Sequence, residues 1–270
     1  MIDPVTFEPW LRSGVFIGSV VLLAGAERCW PRRTHRPLRR TAANIGLLLT
    51  NTVVVRLLSS ASLVGVAVGV SAMNWGLFAL IDAPATLETL VAVVLLDASM
   101  YLQHRLFHRF AWLWGLHAVH HSDTSFDLTT GIRFHPGEVV TSFAMKAIAV
   151  VILGANTWAV LIFEALLSTA SLFTHTNVHI PERLERVLRR LIVTPEMHRT
   201  HHSVSRDEHN TNFGFLLVWW DRLFHSYRAA SRVDPTSMEI GLDDYRNCEA
   251  QAFGQLLRQP LTTVTRRNDR

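Results

Sequence analysis

LETLVAVVLLDASMYLQHRLFH, residues 87–108, decides the fold. Its apolar part, interrupted only by Glu88 and Asp97 as far as Leu102, reads as a helix that enters a bilayer, and it runs without a break into His104 and His108. Residues four apart share one face of a helix, so this segment ends in two imidazoles that project the same way.

Three more clusters repeat the spacing: HAVHH (His117, His120, His121), HTNVH (His175, His179) and HRTHH (His198, His201, His202). Ten of the 14 histidines therefore fall into four groups, each expected to set its rings along one helical stripe. A neutral imidazole offers one lone pair, and ten of them exceed what a single tetrahedral zinc can use, so a two-metal centre is the natural inference. Ligand type leaves the metal open, since imidazole suits iron, zinc and copper. Ligands that bring no negative charge keep the centre electrophilic, which favours oxygen or Lewis-acid chemistry over storage.

His35, His209 and His225 have no such partners and are expected as packing or surface residues. His135, in RFHPGE, belongs to no pair and is divided between a place around the metals and a purely structural one. Asp97 lies two turns before His104 in an apolar span, where it is expected either to accept a ring N–H of a ligand histidine or to pair with an arginine. Glu138 and Asp123 flank the clusters and could do the same or cap helices. Glu164, inside an apolar segment, could meet Arg56, a contact that spacing does not support.

The composition fits an integral membrane protein: 270 residues, 49% hydrophobic and 18% charged, with a mean hydropathy of +0.20. The net charge of +4 does not point to nucleic acid, because the basic residues sit beside apolar spans rather than on an aromatic-interleaved face. Cys29 and Cys248 match neither a disulfide framework nor a sulfur metal site, which suits a reduced, cytoplasm-facing region. With Asp3, Glu8 and Pro9 where a basic leader would be, the first apolar run, residues 15–26, is expected to be an anchor and not a cleaved signal.

A basic stretch follows, RRTHRPLRR at residues 32–40. Then come a second apolar segment at 44–70 containing Arg56, the third at 87–102, and a helical hairpin of 139–153 and 157–173 broken at Gly154–Asn156. If the basic stretch is cytoplasmic, the second segment leaves and the third returns. The hairpin goes in and comes back, so all four clusters are expected on the cytoplasmic face. Residues 1–85 form an anchor region, 86–228 the catalytic domain and 229–270 a polar tail.

The order HxxxH, HxxHH, HxxxH, HxxHH, set in LLDASMYLQHRLFH, LHAVHHS, RFHPGE, TPEMHRTHHS and HNTNFGFLLVWWDRLF, resembles the fatty acid hydroxylase and sterol desaturase superfamily over roughly residues 95–227. The resemblance implies an all-α, polytopic membrane helical bundle that is a non-haem di-iron oxygenase with a cytoplasmic histidine-rich cap. It would use two irons per chain and O2 as co-substrate to hydroxylate or desaturate a lipid of sterol or fatty acyl type. By motif, His104, His108, His117, His120, His121, His175, His179, His198, His201 and His202 carry over as metal ligands, with Asp97, His135 and Glu138 around them. How the ten divide between two metals is not readable from the sequence.

The family often has glycine where this chain has His225, which puts the turn there in question. No HPGG motif of a fused cytochrome b5 domain is present, so electrons are expected from a separate ferredoxin-like or cytochrome b5-like donor with its reductase. A histidine-rich metal transporter is the alternative, but it would spread ligands through the middle of several spans. A zinc hydrolase would need HExxH, which is absent.

Overall fold

The computed structural model describes residues 4–34, 38–58 and 62–268; His35 lies outside them. The described residues form α-helices joined by loops and short 3-10 turns, with three isolated β-bridges and no strand. The helices are α1 (Pro4–Cys29), α2 (Leu38–Leu58), α3 (Leu63–Ala72), α4 (Ala85–Arg109), α5 (Ala111–His121), α6 (Pro136–Leu153), α7 (Thr157–Thr174), α8 (Glu182–Leu188), α9 (Pro195–His201), α10 (Arg206–His209), α11 (Trp219–Leu223) and α12 (Phe253–Asn268).

Five stretches are long and apolar enough to cross a membrane: Thr6–Cys29, Leu63–Leu80, Ala85–Arg109, Pro136–Leu153 and Thr157–Thr174. The hairpin is α6 and α7. Gly154 closes α6 in the left-handed conformation at φ +71°, and Asn156 caps α7 by accepting the Ala159 N–H at 2.9 Å. A side chain at Gly154 would also collide with the Trp75 carbonyl, 2.4 Å from an added Cβ. The turn after α3 is therefore pressed against the hairpin tip, and Glu88 of α4 joins it through a 2.9 Å bond to Asn156. The far ends of α3, α4, α6 and α7 meet here. Between them the apolar faces of these helices close a core around Val64, Leu96, Val160 and Phe163.

The second span differs from the expectation of 44–70. The apolar run divides into α2 and α3, and Ser62 starts α3 by accepting the Gly65 N–H at 3.0 Å. The stretch long and apolar enough to cross begins at Leu63. The reason lies in α2, where Arg40, Asn44 and Asn51 recur on one face. Arg40 bonds Asp123 and grips Asp127 at 2.8 and 3.0 Å. Asn44 reaches Asp123 at 3.2 Å, and Asn51 donates to the Phe134 carbonyl at 2.9 Å. A helix with this polar face is held over the histidine end of the bundle.

Arg40 and all four histidine clusters lie at one end, and the hairpin tip at the other. Glu164 pairs with Arg12 of α1 at 3.0 Å rather than with Arg56. The stretch expected to be a polar tail carries α12, which packs along α5. Gln259 donates to the Ala118 carbonyl at 2.9 Å, and a Cβ at Gly115 would stand 2.7 Å from Val264 Cγ2.

Candidate metal centre

Four elements deliver histidines to the end of the bundle. α4 contributes His104 and His108, and α5 contributes His117, His120 and His121. His175 follows the last turn of α7, while His198, His201 and His202 come from α9 and its C-terminus. TPEMHRTHH builds α9 from local chemistry: Pro195 opens it, and Thr194 accepts the Met197 N–H at 3.4 Å.

Nine of the ten rings form two buried groups whose ligand atoms lie within 4.8 Å of one another: His104, His108, His117, His121 and His201 in one, and His120, His175, His198 and His202 in the other. The groups abut, with the His121 and His202 rings stacked at 4.4 Å. Within a helix the rings four apart serve one group and the ring three along leaves for the other. His117 and His121 stay together while His120 departs; His198 and His202 stay together while His201 departs. Four residues turn a helix by about 40° and three by about −60°, so an HxxHH segment is divided by geometry.

His179 does not join them. α7 ends at Thr174, so HTNVH leaves the helix and the rule of four no longer applies. The chain instead bridges from Val178 to Pro31, the His179 N–H bonds the Trp30 carbonyl at 2.8 Å, and the ring is exposed beside Arg32.

Hydrogen bonds fix the tautomers. Nδ1 of His104 lies 2.8 Å from the Phe213 carbonyl, that of His201 2.7 Å from Thr211, that of His120 3.2 Å from Arg133, and that of His175 2.6 Å from Ser171. A carbonyl can only accept, so each ring carries its proton on Nδ1 and a bare lone pair on Nε2. Yet Nε2 of His104 faces Nε2 of His201 at 3.1 Å, and Nε2 of His120 faces Nε2 of His175 at 3.0 Å. Two lone pairs at that distance with no proton between them repel; a cation between them turns the contact into ligation. His202 adds a fully buried ring whose two nitrogens have no hydrogen-bond partner. The donor set therefore fits two metal ions, one per group.

Burial also keeps these rings neutral, the form that ligates. It pushes His117 down to about 3 and His175 down to about 4. Burial, followed by the neighbouring imidazoles, holds His120, His121, His198, His201 and His202 well below the ordinary histidine value.

The surrounding carboxylates divide in role. Glu138 accepts from His117 Nδ1 at 2.6 Å, the ring-orienting contact that the sequence allowed for Glu138 and for Asp97. Asp97 instead accepts the Leu216 and Leu217 N–H groups at 3.2 and 3.1 Å and the Trp220 indole at 2.8 Å. Asp221 of WWDRLF, which the sequence reading missed, accepts the Phe213 and Gly214 N–H groups, both at 2.8 Å. These two carboxylates clamp the loop whose Phe213 carbonyl orients His104, so they act on the ligand through one backbone link. His135 caps α6, accepting the Gly137 N–H at 3.0 Å, and its Nε2 donates to the Leu257 carbonyl at 3.2 Å.

His225 sits at φ +56°. The turn requires the left-handed region that a glycine enters freely, and histidine takes it here. Arg133, fully buried and also missed from sequence, bonds the Val119 carbonyl at 2.7 Å and Ser122 at 2.8 Å, which fixes the last turn of α5. His209, expected as packing or surface, stacks on Trp114 at 5.6 Å beside His108. It joins His108, Arg206 and Asp243 in the wall of a polar pocket of about 360 Å³.

The profile of the fatty acid hydroxylase family matches residues 89–226, which contain all ten clustered histidines and both clamping carboxylates. The ornithine lipid hydroxylase OlsE of Rhizobium tropici is 32% identical over 184 residues, covering 68% of this chain and 53% of the relative. The alkylglycerol monooxygenase of Homo sapiens is 29% identical over 134 residues, covering 49% of this chain and 29% of the relative. That of Caenorhabditis elegans is 24% identical over 144 residues, covering 52% and 26%. The chain thus spans about half the length, or less, of these relatives. No solved structure matches it. The profile match over half of the chain, across the segment that carries both histidine groups, shows that this chain belongs to the fatty acid hydroxylase family.

Proposed function

We propose that this chain is an integral membrane di-iron oxygenase that uses O2 and electrons from a separate donor to hydroxylate an unactivated C–H bond of a membrane lipid or, by removing a second, neighbouring hydrogen instead of returning hydroxyl, to desaturate it. The observation that carries the reading is the pair of inward-facing lone-pair contacts, one in each histidine group, at the membrane end of apolar helices.

All-nitrogen donor sets suit iron, copper and zinc. The names of the relatives, a hydroxylase and a monooxygenase, describe redox chemistry that zinc does not perform. By the same names those relatives act on an ornithine lipid and an alkylglycerol, so we assign the substrate to chain-bearing lipids with a hydrogen-bonding polar part. His104, His108, His117, His121 and His201 would hold one iron and His120, His175, His198 and His202 the other. Bound there, two irons supply oxygen activation and the electrons' route to it.

The chain's own residues do the rest. The carbonyls of Phe213, Thr211, Arg133 and Ser171 hold the rings in the ligating tautomer, and Glu138 bonded to His117 adds negative charge beside the cations. Burial of all nine rings excludes water from the reacting atoms. Arg33 and Arg40 lie at the same end as the histidines, and by the positive-inside rule that end faces the cytoplasm, where a soluble donor can dock.

The test is anaerobic iron loading followed by lipidomics of cells with and without the protein. The expected result is one lipid class gaining one oxygen or losing two hydrogens, abolished by His120→Ala and by His201→Ala with membrane insertion intact. Unchanged lipids, or turnover retained in both variants, would overturn the reading.

A further inference from the structure

An apolar groove of about 480 Å³ runs between α4 and α6, with Leu102, Ile148 and Ile152 exposed along it. Both walls are helices long and apolar enough to span the membrane, so the groove opens toward the bilayer interior. An apolar groove that opens into the hydrocarbon of the bilayer suits a lipid's hydrocarbon chain.

One stripe of α6 carries both residues that line the groove and a residue bonded to the metal centre. Glu138, Ser142, Met145, Ala149 and Ile152 follow one another at intervals of four and three residues, on a single helical face. Glu138 bonds ligand-group His117, while Met145, Ala149 and Ile152 line the groove. Ser142 lies between, and its hydroxyl takes the Gln103 side-chain N–H at 3.0 Å. Gln103 is the residue directly before His104. It lines the groove, is 6% exposed, and its Oε1 is buried with no hydrogen-bond partner. A buried carboxamide that satisfies one end and leaves the other bare beside an apolar channel costs stability unless something binds it.

We infer that this groove receives the hydrocarbon chain of the lipid from the bilayer, and that Gln103 registers the chain by accepting a hydrogen bond from an N–H or O–H in the lipid's polar part. Ser142 holds the carboxamide in place, and the distance from that bond to the histidine groups then selects the carbon that is oxidised. This rests on the lipid-oxygenase reading and adds to it the entry route and the residue that sets position.

Two readouts separate the claims. The first is labelling of the purified, iron-loaded chain in phosphatidylcholine nanodiscs with an alkylglycerol carrying a diazirine in its alkyl chain, followed by peptide mapping. The second is product analysis of Gln103→Met, which keeps the volume and removes the acceptor, and of Ile148→Trp, which fills the groove from its exposed rim. Iron content is measured for each.

Labels are expected on peptides containing Leu102 and Ala149, with a severalfold lower yield in Ile148→Trp. Gln103→Met is expected to lose roughly two- to tenfold in kcat/KM, the worth of one neutral hydrogen bond, and to spread oxidation over neighbouring carbons at unchanged iron content. Labels elsewhere, or both variants converting lipid at the parent rate and position, overturn the inference while the oxygenase reading stands. Groove labelling lowered by Ile148→Trp in a chain that oxidises no lipid overturns the oxygenase reading and leaves the groove assignment in place.

Discussion

Replacing Glu138 separates what its charge does from what its geometry does. Its Oε1 takes the His117 ring N–H at 2.6 Å, and its side chain is 8% exposed. Glu138→Gln leaves a carbonyl oxygen in the same place, so the ring keeps its tautomer and direction and only the negative charge is lost. Glu138→Ala loses both. Removing a partner of a ligating histidine costs about 10- to 100-fold in metal affinity, or about 1.4 to 2.7 kcal/mol. We expect the glutamine variant near the lower bound and the alanine variant near the upper. The assay is competition between the protein and a chelator of known affinity, with bound iron read by elemental analysis and thermal unfolding measured in parallel. If both variants hold iron as the parent does, Glu138 takes no part in the centre. If glutamine is as poor as alanine, orienting the ring is not its role.

Three further outcomes are expected. His175→Ala should lower bound metal, whereas His179→Ala should leave it at the parent level, because the His179 ring is exposed and apart from both groups; equal losses would contradict the division of HTNVH. Arg40→Met leaves Asp123 and Asp127 buried without their cation and should cost about 3–5 kcal/mol, read as a lower unfolding temperature in detergent; an unchanged temperature would refute the role given to α2. The metal-free protein should lose stability as pH falls below about 6.5 toward about 4 and then about 3, the folded values of His175 and His117. Their folded values lie below the unfolded one, so protons are taken up on unfolding and acid favours the unfolded chain. Stability of metal-free protein that is flat from pH 7 to 4 would contradict the burial of these rings.

Much of this was legible beforehand because it is local. The i, i+4 spacing of His104 and His108 needs only a helix, and the apolar stretches around it need only a bilayer. The break at Gly154–Asn156 is a glycine taking a left-handed turn and an asparagine capping the next helix. The places where local reading failed are those where a tertiary contact intervened. Residues 44–70 look like one span until Arg40, Asn44 and Asn51 are drawn to a loop some eighty residues away. Asp97 shares a face with His104 yet serves the 216–220 segment, a contact that spacing along α4 does not reveal. Asp221 and Arg133 gave no metal-like signal, since each acts through backbone groups.

The sequence by itself determined an all-helical membrane chain with four histidine clusters at helix ends, because hydropathy and the helical repeat are properties of neighbours along the chain. Only the tertiary structure decided how those histidines divide. In each HxxHH segment the outer pair faces one group and the middle histidine the other. The end of α7 at Thr174 removes His179 from both. Ligation requires lone pairs to converge at about 3 Å, and that convergence is fixed by how helices pack, which no spacing along one helix contains.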